Sequence, residues 1–204
     1  MSISFVQQHK ELYAADFLVT HNGSVIGQLA MTGKLGSMEG TFTGTVMGRQ
    51  ITLAPHARAT GFRPYEIRVD GRVAGTVAQR TVKTGLFSQY QYHEMHLEGQ
   101  TYELYSVGLG KAGNAACLYC GNTQVAEIDK GTTVYNDLHE YEIFPVDEKS
   151  AFACIVMSCY RYVRGCYRPG EKAVASKVTH VNVTSNKVLK SKYDPDFKST
   201  HYTL

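Results

Sequence analysis

A chain of 204 residues with 43% hydrophobic and 19% charged residues has the composition of an ordinary folded protein, which excludes a disordered or collagen-like polymer and leaves room for one large domain or two small ones. Nineteen Gly and fourteen Tyr, with frequent Val, Thr and Ile, favour strands and tight turns over helices, because β-branched and aromatic side chains fit a pleated surface. The net charge of +3 is uneven: residues 49–83 carry a net of +5, residues 161–198 a net of +6, and the remainder −8.

The opening "MSISFVQQHKELYAADF" has no basic stretch followed by a long apolar run, so no secretory signal is read there and the expected compartment is the cytoplasm. Five cysteines are an odd number in a chain too large to need disulfide staples, and reduced thiols acting as small apolar groups are expected.

In chain order, the region before residue 147 breaks into about a dozen short runs with period-two character, separated by Gly, Asn and Asp, as antiparallel strands joined by tight turns do. "FLVTHNGSVIGQL" is a hairpin around Asn22-Gly23. "YEIRVDGRVAGTV" repeats it 48 residues later around Asp70-Gly71, with Gly75 at the offset of Gly27; Asn-Gly and Asp-Gly supply the positive φ angles a two-residue turn requires. Weaker echoes stand in "MHLEGQTYEL" around Gly99 and "CLYCGNTQVAEI" around Gly121. Hairpins in series favour a meander that closes on itself to remove its edges. One run disturbs the alternation: in "QYQYHEMHLEG", Tyr90 and Tyr92 differ in parity from Met95 and Leu97. Either both faces are covered, or a bulge near His93 and Glu94 switches the parity; the bulge is the expectation.

The segment "SAFACIVMSCYRYVRGCYRPG" is different. Acids Asp147 and Glu148 precede it, Arg161 and Arg164 close it, and Gly165 and Pro169-Gly170 stop it, which complements a helix dipole over about 147–164. Its apolar positions run all round the helix, so it is buried on every side or lies in lipid. Its uncharged stretch is far shorter than the ~20 residues a bilayer span needs, so a core helix is predicted.

Hairpins first and one all-round hydrophobic helix last, carried by "FLVTHNGSVIGQL", "YEIRVDGRVAGTV", "LYCGNTQVAEI" and "DEKSAFACIVMSCYRYV", resemble the tubby C-terminal, phospholipid scramblase and LURP-one-related superfamily. The resemblance covers roughly residues 11–164. It implies a mainly β fold, a closed antiparallel barrel of about twelve strands enclosing a hydrophobic C-terminal helix, whose interior is too wide for the barrel's own side chains to fill. Residues 1–170 would form this domain. Residues 171–204 depart from the family pattern, in which the helix tends to end the chain, and are expected as a basic extension, partly extended or in a short helix.

Chemistry-bearing motifs are weak. Cys117-Leu118-Tyr119-Cys120 matches CxxC, but on a strand the two thiols face opposite ways and no second pair completes a zinc site. "HEMH" at 93–96 is not HExxH, and on a strand its histidines diverge. Asp137, His139 and Glu140 stand close together in "YNDLHEYEI" as an acid/base cluster or, more simply, a solvated turn. "GLGKAGNAAC" spells GxGxxG without the strand-loop-helix context that gives it meaning. No GxSxG elbow and no triad context for a nucleophile is present. No cofactor, no metal and no catalytic residue is expected, and the chain reads as a non-enzymatic module.

The basic groups are the functional clue. The resemblance implies phosphoinositide or phospholipid binding, and polybasic surfaces attract anionic headgroups at about 1 kcal/mol per Lys or Arg. Arg63, Arg68, Arg72, Arg80, Arg164, Arg168 and Lys172 are the candidate surface, chosen by charge alone. The expected partner is an anionic phospholipid or membrane surface, with peripheral attachment, or a protein. A scramblase-like lipid-handling role and nucleic-acid binding by the basic tail are the alternatives, the latter disfavoured because few aromatics accompany the tail's cations.

Overall fold

The computed structural model describes residues 2–56, 64–85 and 88–202. Alternating apolar residues build the strands in order: β1 (Ile3–Lys10), β2 (Ala14–His21), β3 (Ser24–Gly33), β4 (Gly40–Val46), β5 (Arg49–Pro55), β6 (Tyr65–Val69), β7 (Arg72–Lys83), β8 (Gln89–Leu97), β9 (Gln100–Gly110), β10 (Asn114–Cys120), β11 (Thr123–Lys130), β12 (Thr133–Tyr135) and β13 (Glu140–Pro145). Every strand of this series except β12 pairs antiparallel with its neighbours, β11 joins β13, and β13 joins β1, so twelve strands close into a barrel with no free edge among them.

The barrel encloses α1 (Glu148–Gly165), as the all-round apolar pattern predicts. Asp147 caps it: its carboxylate accepts from Ser150 N at 2.7 Å, and Ser150 Oγ accepts from Asp147 N at 3.1 Å, a reciprocal capping box. At about 1.5 Å per residue the 18 residues span roughly 27 Å. Small residues Ala151, Ala153 and Cys154 are fully buried, while Tyr160 packs edge-on against Tyr65 (5.4 Å between centroids) and Tyr162 against Phe17 (4.8 Å).

The repeated hairpins share more than a turn. In three of them the register slips by one residue, between Val19 and Thr20, between Ile67 and Arg68, and between Leu118 and Tyr119. The bulged residue's carbonyl then accepts a hydrogen bond from the next connection: Met47 N to Ile26 O (2.7 Å), Glu98 N to Ala74 O (2.9 Å) and Val146 N to Val125 O (3.0 Å). Gly27 and Gly75 follow the bulge because the neighbouring strand's carbonyl, Thr45 O or His96 O, occupies the space a Cβ would need.

The bulge expected near His93 and Glu94 is absent, because β8 keeps an unbroken register with β7 and with β9. Both faces are covered instead. Met95 and Leu97 point inward, while Tyr92 stacks on Tyr105 at 5.2 Å and packs beside Tyr90 on the outside.

Beyond α1 the chain leaves by the far mouth and returns along the outer wall. Gly170 N donates to Leu12 O at 2.8 Å. β14 (Lys177–Thr179) pairs with β12, and β15 (Asn182–Val183) adds to β9. α2 (Lys187–Lys190) and α3 (Phe197–His201) follow, and Tyr202 Oη donates to Pro145 O beside the start of α1. Phe197 is buried under this strap, Lys192 lies over the Tyr105 and Tyr119 rings at 4.6 and 4.7 Å, and Lys198 pairs with Asp129 at 2.6 Å.

Candidate functional site: a basic mouth at the end of the enclosed helix

The two mouths of the barrel differ. Turns β2–β3, β4–β5, β6–β7, β8–β9 and β10–β11 crowd the mouth where α1 begins, and the helix carboxyl end reaches the other. There the inward positions of the wall turn polar: Gln79 on β7, His93 on β8, Ser106 on β9, Asn114 on β10 and Lys130 on β11. Arg164 from the last turn of α1 and Arg161 from the turn before it project into the same space, where a cation at the helix end also complements the helix dipole. Asn182 and Thr184 of the returning chain form one side, fixed by Gly108 N donating to Thr184 Oγ at 2.8 Å and Thr184 N donating to Gly108 O at 3.1 Å.

The result is a cavity of about 430 Å³ that three cations line and no Asp or Glu among the described residues does. Arg161 Nη1 and His93 Nδ1 are buried there without a hydrogen-bond partner among the described residues. Burial first, and the charges of Arg161 and Arg164 next, pull the His93 imidazole down to about 3, so it is neutral at ordinary pH. A larger cleft of about 760 Å³ lies outside the barrel beneath β12, but Asp129, Glu140 and Glu142 share it with Lys130 and Lys198, so acids outnumber cations there.

Next to the basic cavity sits a second group of polar side chains. Cys166, just past α1, lines the cavity, with Lys130 Nζ at 3.7 Å and the Tyr141 hydroxyl at 3.4 Å. His139 lies near it, packed on Tyr162 at 5.9 Å between centroids, with Asp137 Oδ1 4.0 Å from its Nε2. Asp137 is in turn ion-paired with Lys10, whose side chain is almost wholly buried.

The residues chosen by charge do not form one rim. Arg72 opens β7 at the mouth where α1 begins, whereas Arg164 stands at the opposite mouth and Arg168 and Lys172 just beyond it. Arg68 and Arg80 point outward and are ion-paired, Arg68 with Glu66 at 2.7 Å and Arg80 with Glu94 at 2.7 Å. Arg63 lies outside the described residues. Of the described members of the set, Arg164 alone lines the cavity, joined by Arg161 and Lys130, which charge counting passed over. A signal for Lys130 existed: it shares the parity of Ala126 and Ile128, the buried face of β11.

The other motifs sort by face. Cys117 lies on the outer face under the strap and Cys120 on the opposite one, while His93 points into the barrel and His96 out, beside Thr101 at 2.9 Å. The Asp137–His139 turn is more than a solvated one, since His139 is buried. Gly108 to Gly113 form a hairpin loop closed by Leu109 N to Gly113 O at 2.9 Å. No described helix is long and apolar enough to cross a membrane. Comparison of the chain with family models, characterised proteins and solved structures returns no match.

Proposed function

We propose that the protein is a non-enzymatic binding module of tubby-like type that takes an anionic, phosphate-bearing ligand, the headgroup of an anionic phospholipid, in the mouth where α1 ends. The observation that carries this reading is the convergence of Lys130, Arg161 and Arg164 on one cavity with no lining carboxylate among the described residues. A guanidinium nitrogen buried without a partner is expensive, and a phosphate oxygen satisfies it with a charge-assisted hydrogen bond. The enclosed helix inside a closed twelve-strand barrel supports the likeness to the tubby and scramblase superfamily. The strap cations Lys192 and Lys198 are engaged with Tyr rings and carboxylates of the wall, which favours the mouth over the tail as the anion site and disfavours the nucleic-acid reading.

Co-sedimentation with vesicles containing phosphatidylinositol bisphosphate, phosphatidylserine or phosphatidylcholine alone tests the headgroup, and titration with inorganic phosphate and soluble inositol phosphate tests the bare anion. Binding is expected to require anionic lipid and to weaken with salt. Lys130→Gln and Arg161→Gln should each lower affinity about fivefold, the equivalent of about 1 kcal/mol per cation. Equal binding to phosphatidylcholine vesicles, or binding that both variants leave intact, would sink the reading.

A further inference from the structure

Cys166 is the cysteine that meets the basic cavity. Cys117, Cys154 and Cys159 are fully buried, and burial pushes the thiols of all three up, which keeps them unreactive. Cys120 is half-buried on the wall near the mouth where α1 begins, beside Gln100 at 3.5 Å.

The groups facing the Cys166 sulfur come from every element around it. Lys130 reaches it from β11, Tyr141 from β13, His139 from the turn before β13, and Arg161 from α1 lies over the Tyr141 ring at 5.9 Å. Asp137 stands 4.0 Å from His139 Nε2 and is ion-paired with Lys10. Burial opposes ionisation of the thiol, but the nearby His139 imidazole, the Lys130 charge and the Tyr141 hydroxyl overcome it and pull the thiol down to about 6. A thiolate is the attacking species in exchange with disulfides.

We propose that Cys166 is a site of reversible thiol–disulfide modification, and that its substrate is an anionic low-molecular-weight disulfide of the glutathione type drawn in by Lys130, Arg161 and Arg164. The thiolate sulfur attacks one sulfur of the disulfide and forms a mixed disulfide. The original S–S bond breaks, and the departing half leaves as a thiolate that takes up the proton the Cys166 thiol lost. Cys166 is oxidised and the released half is reduced, so the exchange needs no other oxidant. The cavity volume of about 430 Å³ falls within the ~300–1,000 Å³ of small-molecule sites, and the carboxylates of a glutathionyl group suit a lining that holds cations and, among the described residues, no acid. The modification places two carboxylates on the cationic groups and would compete with any anion held there, although the chemistry stands whether or not a headgroup binds.

Oxidised glutathione is added to the reduced full-length protein near neutral pH, and each cysteine is followed by peptide mass mapping. Cys166 is expected to react at least tenfold faster than Cys120, with Cys166→Ser removing the fast phase. Lys130→Gln should slow it severalfold, and reaction with an anionic aromatic disulfide should outpace a neutral dipyridyl disulfide on the unaltered protein. The second comparison needs no variant to fold. Modification confined to Cys120, equal rates at the two cysteines, or no preference for the anionic reagent would overturn the assignment. Vesicle binding plays no part in the readout, so failure here is distinguishable from failure of the headgroup reading.

Discussion

Gln7 Nε2 donates to the Tyr162 hydroxyl at 3.0 Å, and Gln7 Oε1 accepts from His139 N at 3.2 Å, so a single buried amide ties β1, the last turns of α1 and the His139 turn together. Both Gln7 and Tyr162 are buried. Replacing Gln7 by Leu leaves the Tyr162 hydroxyl and the His139 amide unsatisfied, at about 1–3 kcal/mol each. Gln7→Leu is expected to lower the denaturation midpoint and, by loosening His139, to slow alkylation of Cys166. A midpoint unchanged in urea titration would show that water replaces the amide.

The capping box sets where α1 starts inside the barrel. Asp147→Ala removes the acceptor for Ser150 N and should cost about 0.5–2 kcal/mol. Asp147→Asn keeps an acceptor and should recover most of it, which thermal denaturation of the pair measures.

Gly75 sits against the His96 carbonyl with no room for a Cβ. Both atoms belong to the backbone of paired strands, so neither moves without opening the β7–β8 ladder. Gly75→Ala is expected to destabilise by about 1–3 kcal/mol, as overpacking does. Ala at Gly23, where a Cβ meets nothing but φ is +77°, tests backbone strain separately from crowding.

Glu127 is fully buried beneath the strap, beside Asp129 and 3.4 Å from Lys198. Burial first and Asp129 second push its carboxyl from 4.5 up to about 7, against the pull of Lys198. A folded-state value above the unfolded one means that the stability it contributes is full below about 4.5 and is lost as pH rises through about 7. Glu127→Gln should therefore exceed the unaltered protein in Tm above neutrality, by about 2–4 °C for each kcal/mol, with the advantage shrinking toward pH 4.5. A pH-independent difference would refute this linkage.

His93 works in the opposite direction. Its folded value of about 3 lies below the 6.5 of the free side chain, so stability is full above about 6.5 and drains as pH falls toward 3. His93→Gln should flatten that acid limb, readable from urea midpoints between pH 7 and about 4.

The architecture was legible because it rests on local chemistry. Asn22-Gly23 and Asp70-Gly71 demand hairpins, and residues 150–160 offer no face that water would accept, so a wall of hairpins around a buried helix follows from turn geometry and hydrophobicity. The pairing of Gly27 with Gly75 was visible too, though its cause, a carbonyl of the next strand, was not.

The site was not legible in the same way. A count of charges along the chain cannot say which cation faces in, which is already neutralised, or which mouth it occupies. Arg68 and Arg80 are bound to acids on their own or the adjacent strand, Arg72 and Arg164 stand at opposite mouths, and Cys166 meets Lys130, Tyr141 and His139 from separate stretches of chain. By itself the sequence determined the strands, the helix and their order, since these depend on neighbours a few residues apart. Only the tertiary structure decided the basic mouth and its thiol, because strand closure and register set which distant side chains share one space with the helix end.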